Sequence, residues 1–379
     1  MLACGALGAA VLAGRGGTDV SRYKVGKDPI DIVAADFNRD GRADLAVTNF
    51  QGDPQSISIL RGRAGGSFAA AKKIELGPAD QPHGIAAARL GKGKDPELVV
   101  GSLGDDVLVF KGRKGVGFKQ PVRLPVGEWP RRVAVGDFDR DGRRDLAISR
   151  QDSDDLAVML GEGGLGFGPP TLYGPAGGGP ILAARLDAGN DLDLLTIDYD
   201  NDGLTLRRGL AGASFSAPVP LLLGEEPVSI AVVDLNRDGR NDIVAGLVGD
   251  RPRLLVARGE AGGGFAPTET ITVGSGPMFV RDITVTRLNR DRDPDLVIAG
   301  LRIGGIRARG GGGGQAPRSR VIFLRGRGGI KLKRVREFRF RGQANAVAAA
   351  RFDGGRPWDA AVARGNDQKR GHAVVILNP

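Results

Sequence analysis

Cysteine occurs once in this chain, at Cys4, and histidine twice, at His83 and His372. A single thiol forms no intramolecular disulfide and builds neither a cysteine zinc site nor an iron–sulfur cluster. Two imidazoles are too few for a His-rich catalytic centre. Any metal here is therefore expected on oxygen ligands, which selects calcium, magnesium or manganese. Aromatic residues make up only 5% of the 379 residues, with no basic–aromatic interleaving for stacking bases, which points away from nucleic acid. No segment approaches the ~20 apolar residues of a membrane-crossing helix. P-loop, nucleophile-elbow and zincin motifs are absent as well.

Glycine is what the chain has in excess: 62 residues, against an average near 7%. Each helix-interior Gly costs about 1 kcal/mol relative to Ala, so this load argues against a helical protein. Without a Gly at every third residue collagen is excluded too. With 41% hydrophobic and 26% charged residues the chain is not of the disordered class. The formal charge of +10 comes from 54 Lys and Arg, mostly Arg, and reads as a solvated surface. One exception is the stretch from Arg318 to Arg341, which carries ten basic residues and a single acid, Glu337.

Residues 1–14, MLACGALGAAVLAG, form a short apolar run without a charged start. The run looks like the back half of a secretory signal, and Leu2-Ala3-Cys4 like the end of a lipoprotein signal in which Cys4 would carry the lipid. The expectation is an exported protein with a signal-like or disordered tail over 1–19.

The remainder is repetitive. DFNRDGRAD from Asp36, DFDRDGRRD from Asp137 and DLNRDGRND from Asp234 are nearly identical, and an apolar run follows each. Weaker copies start at Arg89, Arg185, Arg287 and Arg351, giving spacings between 48 and 64 residues. A second motif, Gly-x-x-Gly-x-x-Phe, recurs in step at Gly62, Gly112, Gly161, Gly209 and Gly259, and a sixth copy from Gly326 ends in Leu332. One repeat reads strand, acidic loop, strand, turn, strand, Gly-rich turn, strand. Four short strands per ~50-residue period are the mark of a propeller blade. The expected fold is all-β: one seven-bladed β-propeller over 20–379, each blade a four-stranded antiparallel sheet. The seventh repeat lacks a fourth strand, and Arg22–Gly26 is expected to supply it, closing the last blade and removing an open edge. The segment 302–319, with its run of five glycines, reads as a flexible loop.

In the strong loops, oxygen side chains stand at positions 1, 3, 5 and 9: Asp36, Asn38, Asp40 and Asp44; Asp137, Asp139, Asp141 and Asp145; Asp234, Asn236, Asp238 and Asp242. Gly at position 6 allows the sharp turn, and the carbonyls of Arg42, Arg143 and Arg240 at position 7 add an oxygen. This donor set suits Ca2+ and predicts three sites. The EF-hand pattern fails at position 12, which is Val47, Ile148 or Ala245. The weak copies have Arg at position 1 and keep the acid at position 9 (Glu97, Asp193, Asp295, Asp359). There the guanidinium is expected to replace the ion by pairing with that acid. The sixth copy, with Asn289, Asp291, Asp293 and Asp295, is the candidate for a weak fourth metal site.

These loops and Gly-Phe turns resemble FG-GAP/VCBS repeats, as in the integrin alpha-chain propeller and many exported bacterial proteins. The resemblance spans residues 20–379 and implies calcium at the three strong loops and a role in adhesion, ligand binding or scaffolding. The expected function is a non-enzymatic, monomeric, calcium-stabilised binding module whose surface ligand is an anionic glycan or a protein. The alternative is a polysaccharide lyase or hydrolase with its site on the propeller axis, where His83, following Pro82, is the one imidazole placed to take part.

Overall fold

The first repeat folds as a meander of Lys27–Ala35, Asp44–Gln51, Ser56–Leu60 and Lys72–Glu75, each strand antiparallel to the one before it. The computed structural model describes residues 12–13, 19–91, 93, 95–113, 117–151, 153–221, 226–302, 318–355, 358–365 and 371–378. Among these the strands pair into seven such four-stranded units. The innermost strands of units 2 to 7 are Pro82–Ala88, Pro130–Gly136, Gly178–Ala184, Pro227–Val233, Met278–Thr286 and Gln343–Ala350. Each packs against the next, and the last packs against Lys27–Ala35, so the inner strands form a closed ring. Asp19–Val25 completes the seventh unit by pairing antiparallel with Gly371–Ile376, from Val20 opposite Ile376 to Val25 opposite Gly371. The tail (1–19) and the Gly/Arg segment (302–319) lie almost wholly outside the described residues.

The apolar runs after the acidic loops are continuous because both faces of each sheet are covered. Leu45 and Val47 pack toward unit 7, against Ala361, Ala363 and Val375. Ala46, Ile57 and Ile59 pack toward unit 2, against Leu98, Val100 and Leu108. Fully burying a side chain of this kind contributes about 1.5–3 kcal/mol, and the ring repeats the arrangement at every interface. Outer strands such as Lys72–Glu75 are largely exposed and polar, which blunts the sheet edges.

This topology sorts the loops. Acidic loops and Gly-Phe turns lie together at one end of the ring. The loops between second and third strands, and the connections between units, lie at the other.

Candidate metal centres

The acid at position 9 is buried in every unit and ties the two motifs together. Asp44 accepts the N–H of Phe37 at 3.0 Å and that of Gly62 at 2.8 Å. Asp145 takes Phe138 and Gly161, Asp193 takes Leu186 and Gly209, Asp242 takes Leu235 and Gly259, and Asp295 takes Leu288 and Gly326. Glu97 receives Leu90, and Asp359 receives Phe352 and Asn378. The donor glycine is the first of each Gly-x-x-Gly turn. A Cβ on Gly62 would stand 2.3 Å from the carbonyl oxygen of Ala43, and one on Gly161 equally close to that of Arg144. The two motifs recur in step because they make one contact. Burial pushes Asp44 up to about 6 and raises Asp145 and Asp242 in the same sense. Each carboxylate keeps lone pairs beyond the two used by the backbone, so a cation beside it has acceptors left to meet.

The three strong loops share one backbone shape. Position 4 (Arg39, Arg140, Arg237) has φ near +60°, and position 6 (Gly41, Gly142, Gly239) has φ of 81°, 85° and 87°. The left-handed residue at position 6 makes Gly the natural choice there. Position 1 is held by the loop's own amides: Asp36 accepts from Asp40 and Gly41, Asp137 from Gly142, and Asp234 from Asp238 and Gly239. In the third unit, oxygens of Asp137, Asp139 and Asp145 come within 4.8 Å of one another. Asp137 Oδ1 and, in the first unit, Asn38 Oδ1 are buried with no hydrogen-bond donor. Hard acceptors gathered with a buried oxygen left unpartnered fit an oxygen-seeking dication. Position 5 is used differently. Asp40, Asp141 and Asp238 each pair with the position-7 arginine of their own loop, Arg42, Arg143 and Arg240. Those arginines also donate Nε to the carbonyls of Gly62, Gly161 and Gly259.

The structure overturns ion replacement by the position-1 arginines. Arg89, Arg185, Arg287 and Arg351 are exposed, and among the described residues none pairs with its position-9 acid. Backbone N–H groups already hold that acid, so it needs no cation. Where an arginine does reach one, it is Arg208, 3.1 Å from Asp193. The charge pattern serves the joints between units instead. Position-4 arginines of units 1, 3 and 5 reach the position-7 aspartates of the following units: Arg39 to Asp95 at 2.5 Å, Arg140 to Asp191 at 2.9 Å and Arg237 to Asp293 at 3.5 Å. In the sixth loop Asp293 is thus engaged by Arg237, while Asn289 and Asp291 bond to each other and Asp295 closes the clamp.

The basic stretch forms the third and outer strands of unit 6, Arg318–Gly326 and Leu332–Arg341. Arg318 stands opposite Arg341 and Arg320 opposite Arg339. Together with Arg302 these arginines line a cavity of about 190 Å³ at the end away from the acidic loops. Glu337 answers Arg334 at 2.8 Å and Arg339 at 2.7 Å. Sequence reasoning missed a second cluster, at the same end, where the inner strands begin. It comprises Asp31, Arg131, Arg132, Arg281 and Asp282 around His83. The available signal was their shared place in the repeat, one or two residues after the proline or its equivalent. His83 is there, as expected, but burial and the three arginines push its pKa down to about 2, so it is neutral and a poor base. No helix among the described residues is long and apolar enough to cross a membrane.

Three stretches of the chain, 36–92, 94–148 and 234–298, match the FG-GAP-like repeat family. No curated protein matches the chain by sequence. Among solved structures, the BP39L lectin from Burkholderia pseudomallei is similar, with 13% identity, 92% of this chain and 96% of that chain covered, and a TM-score of 0.66. BBS1N, crystallised in complex with ARL6DN, is similar at 13% identity, with 94% of both chains covered and a TM-score of 0.61. At that identity both likenesses speak for the fold.

Proposed function

Because this chain carries FG-GAP-like repeats on a β-propeller, we propose that it is an exported binding module with structural calcium in units 1, 3 and 5, and not an enzyme. The observation that carries the calcium reading is the gathering of Asp137, Asp139 and Asp145 oxygens around a buried, donorless Asp137 Oδ1. Asp36, Asn38 and Asp44, and Asp234, Asn236 and Asp242, occupy the same places in the first and fifth units. Asp40, Asp141 and Asp238 would join by turning from their arginines, with the carbonyls of Arg42, Arg143 and Arg240 completing the set. Bound calcium would supply positive charge that removes the repulsion among the loop carboxylates. The loops lie inside hairpins, so the ion's role is to hold the hairpin, and ligand recognition falls to other surfaces.

The ligand reading rests on charge. Five arginines around one small cavity of unit 6, with Glu337 as their nearby acid, favour an anionic partner, and an anionic glycan is the class proposed. His83 is neutral, and the axial carboxylates Asp31 and Asp282 are each held by two backbone N–H groups, Asp31 also by Arg132, which favours binding over catalysis.

Calorimetric titration of EDTA-stripped protein tests the calcium reading. Three sites are expected. A fourth would promote Asn289, Asp291, Asp293 and Asp295 to a site, and no heat of binding would return the loops to plain turns.

A further inference from the structure

Every inner strand is bulged at the same place. The register with the second strand slips between Pro29 and Asp31, Pro82 and Ile85, Pro130 and Arg132, Gly178 and Ile181, Pro227 and Ser229, Val280 and Asp282, and Ala344 and Ala346. A bulge re-aims side chains and is common beside binding sites. Here the re-aimed residues meet across the ring. Arg132 of unit 3 passes unit 2 to pair with Asp31 of unit 1. Gly84 makes room for this crossing, since a Cβ there would lie 2.7 Å from Arg132 Cδ.

The deeper acids are already committed. Asp31 also accepts the N–H groups of Ile32 at 2.9 Å and Ile85 at 3.1 Å. Asp282 accepts Val347 at 2.7 Å and Ile283 at 2.9 Å. Nearer the mouth stand two arginines with no ion pair among the described residues. Arg281 donates to Asn345 Oδ1 at 2.5 Å, and the Arg131 guanidinium lies 5.8 Å over the ring of Tyr199. They come from units 3 and 6, yet both lose basicity, through burial first and then through neighbouring cations: Arg132 and Arg281 for Arg131, and Arg132 for Arg281. Asp28 is the one acid that acts on Arg281, and burial raises its own pKa. His83, beside them, has a buried Nδ1 with no partner.

We propose that this axial mouth is an oxyanion site, in which Arg131 and Arg281 hold a carboxylate, sulfate or phosphate group between them beside Tyr199. Two cations on one axis with no ion pair of their own, only Asp28 acting on one of them, disfavour the folded state, and an anion between them reverses that cost. The guanidinium fork matches such a group with paired N–H donors. The neutral His83 ring leaves Nδ1 for a hydroxyl next to the anionic group. The site is independent of the calcium reading and lies apart from the arginine cavity of unit 6.

Calorimetry on the calcium-equilibrated full chain, with inorganic phosphate, sulfate and glucuronate as probes and chloride as reference, tests this. At least one oxyanion should bind at a site that the axial substitutions weaken, and the order of the three names its source. Arg131→Gln with Arg281→Gln should weaken it at least about tenfold. Arg318→Gln with Arg341→Gln should leave it unchanged, which separates this site from the unit 6 surface. Tyr199 is 41% exposed, so Tyr199→Ala spares the packing and should weaken binding several-fold even if the double variant folds poorly. Oxyanion binding no tighter than chloride, or affinity unaltered by these axial changes, would overturn the proposal.

Discussion

Asp359 and Asp137 carry the same side chain in similar loops yet answer to different physics. Asp359 is fully buried, and its carboxylate accepts the N–H groups of Phe352 and Asn378, each at 2.8 Å. Asp359→Ala leaves both donors unsatisfied and should cost about 2–5 kcal/mol in urea unfolding, with or without calcium. Asp137→Ala removes one exposed hydrogen bond, from Gly142, and one unpartnered oxygen, so its cost should be small in EDTA and grow with calcium. Equal losses in the two media for both variants would contradict the division. Asp282 supplies the pH test. Burial raises its folded pKa to about 6, above the ordinary 3.8, with the Asp31 charge acting in the same sense. The native state therefore takes up the proton more readily than the unfolded chain. The associated stability is fully present below about pH 4 and is lost as pH rises through about 6. Asp282→Asn should flatten that part of the wild-type difference curve, as read from unfolding midpoints between pH 4 and 7.

At the scale of elements, the joints between units use two devices. One is an aromatic wedge: Phe37 meets Phe118 of unit 2, Phe138 meets Phe215 of unit 4 and Phe352 meets Phe68 of unit 1, at ring distances of 5.3–5.7 Å. Each joins position 2 of one acidic loop to the Gly-Phe turn of the next unit. Phe37 is 1% exposed, so Phe37→Ala should cost about 3–5 kcal/mol through the lost burial and the cavity left. The other device is the ion pair typified by Arg39 and Asp95. It is solvent-facing, so Arg39→Gln should change the unfolding midpoint little, and less at high salt than at low. A large, salt-independent loss on Arg39→Gln would mean that the joint relies on charge more than this geometry implies.

For the whole molecule, closure is the decisive contact. Asp19–Val25 covers the edge of Gly371–Ile376 and lets the last unit share a core with the first, through Tyr23, Phe68 and Phe352. Deleting residues 19–25 should expose that edge and yield a less stable, self-associating protein in sedimentation or light scattering. A monomer of unchanged stability would show that the ring holds without this strand.

Period, strand content and the spare N-terminal strand were legible because a β-meander writes itself locally: proline, apolar run, acidic turn, apolar run, glycine turn. The in-step recurrence of the two motifs was legible too, but its cause was not. Only the fold showed that Asp44 and Gly62 are one hydrogen bond, 18 residues apart in sequence. The same limit produced the error over Arg89, Arg185, Arg287 and Arg351. An arginine and an acid eight residues apart look like partners in a string, whereas in space the acid is filled by backbone amides and arginines reach across to the next unit. Of the axial cluster only His83 was read from the sequence; the charged residues around it were not. Arg132 and Asp31 meet only because a closed ring brings the starts of inner strands from separate units to a common axis.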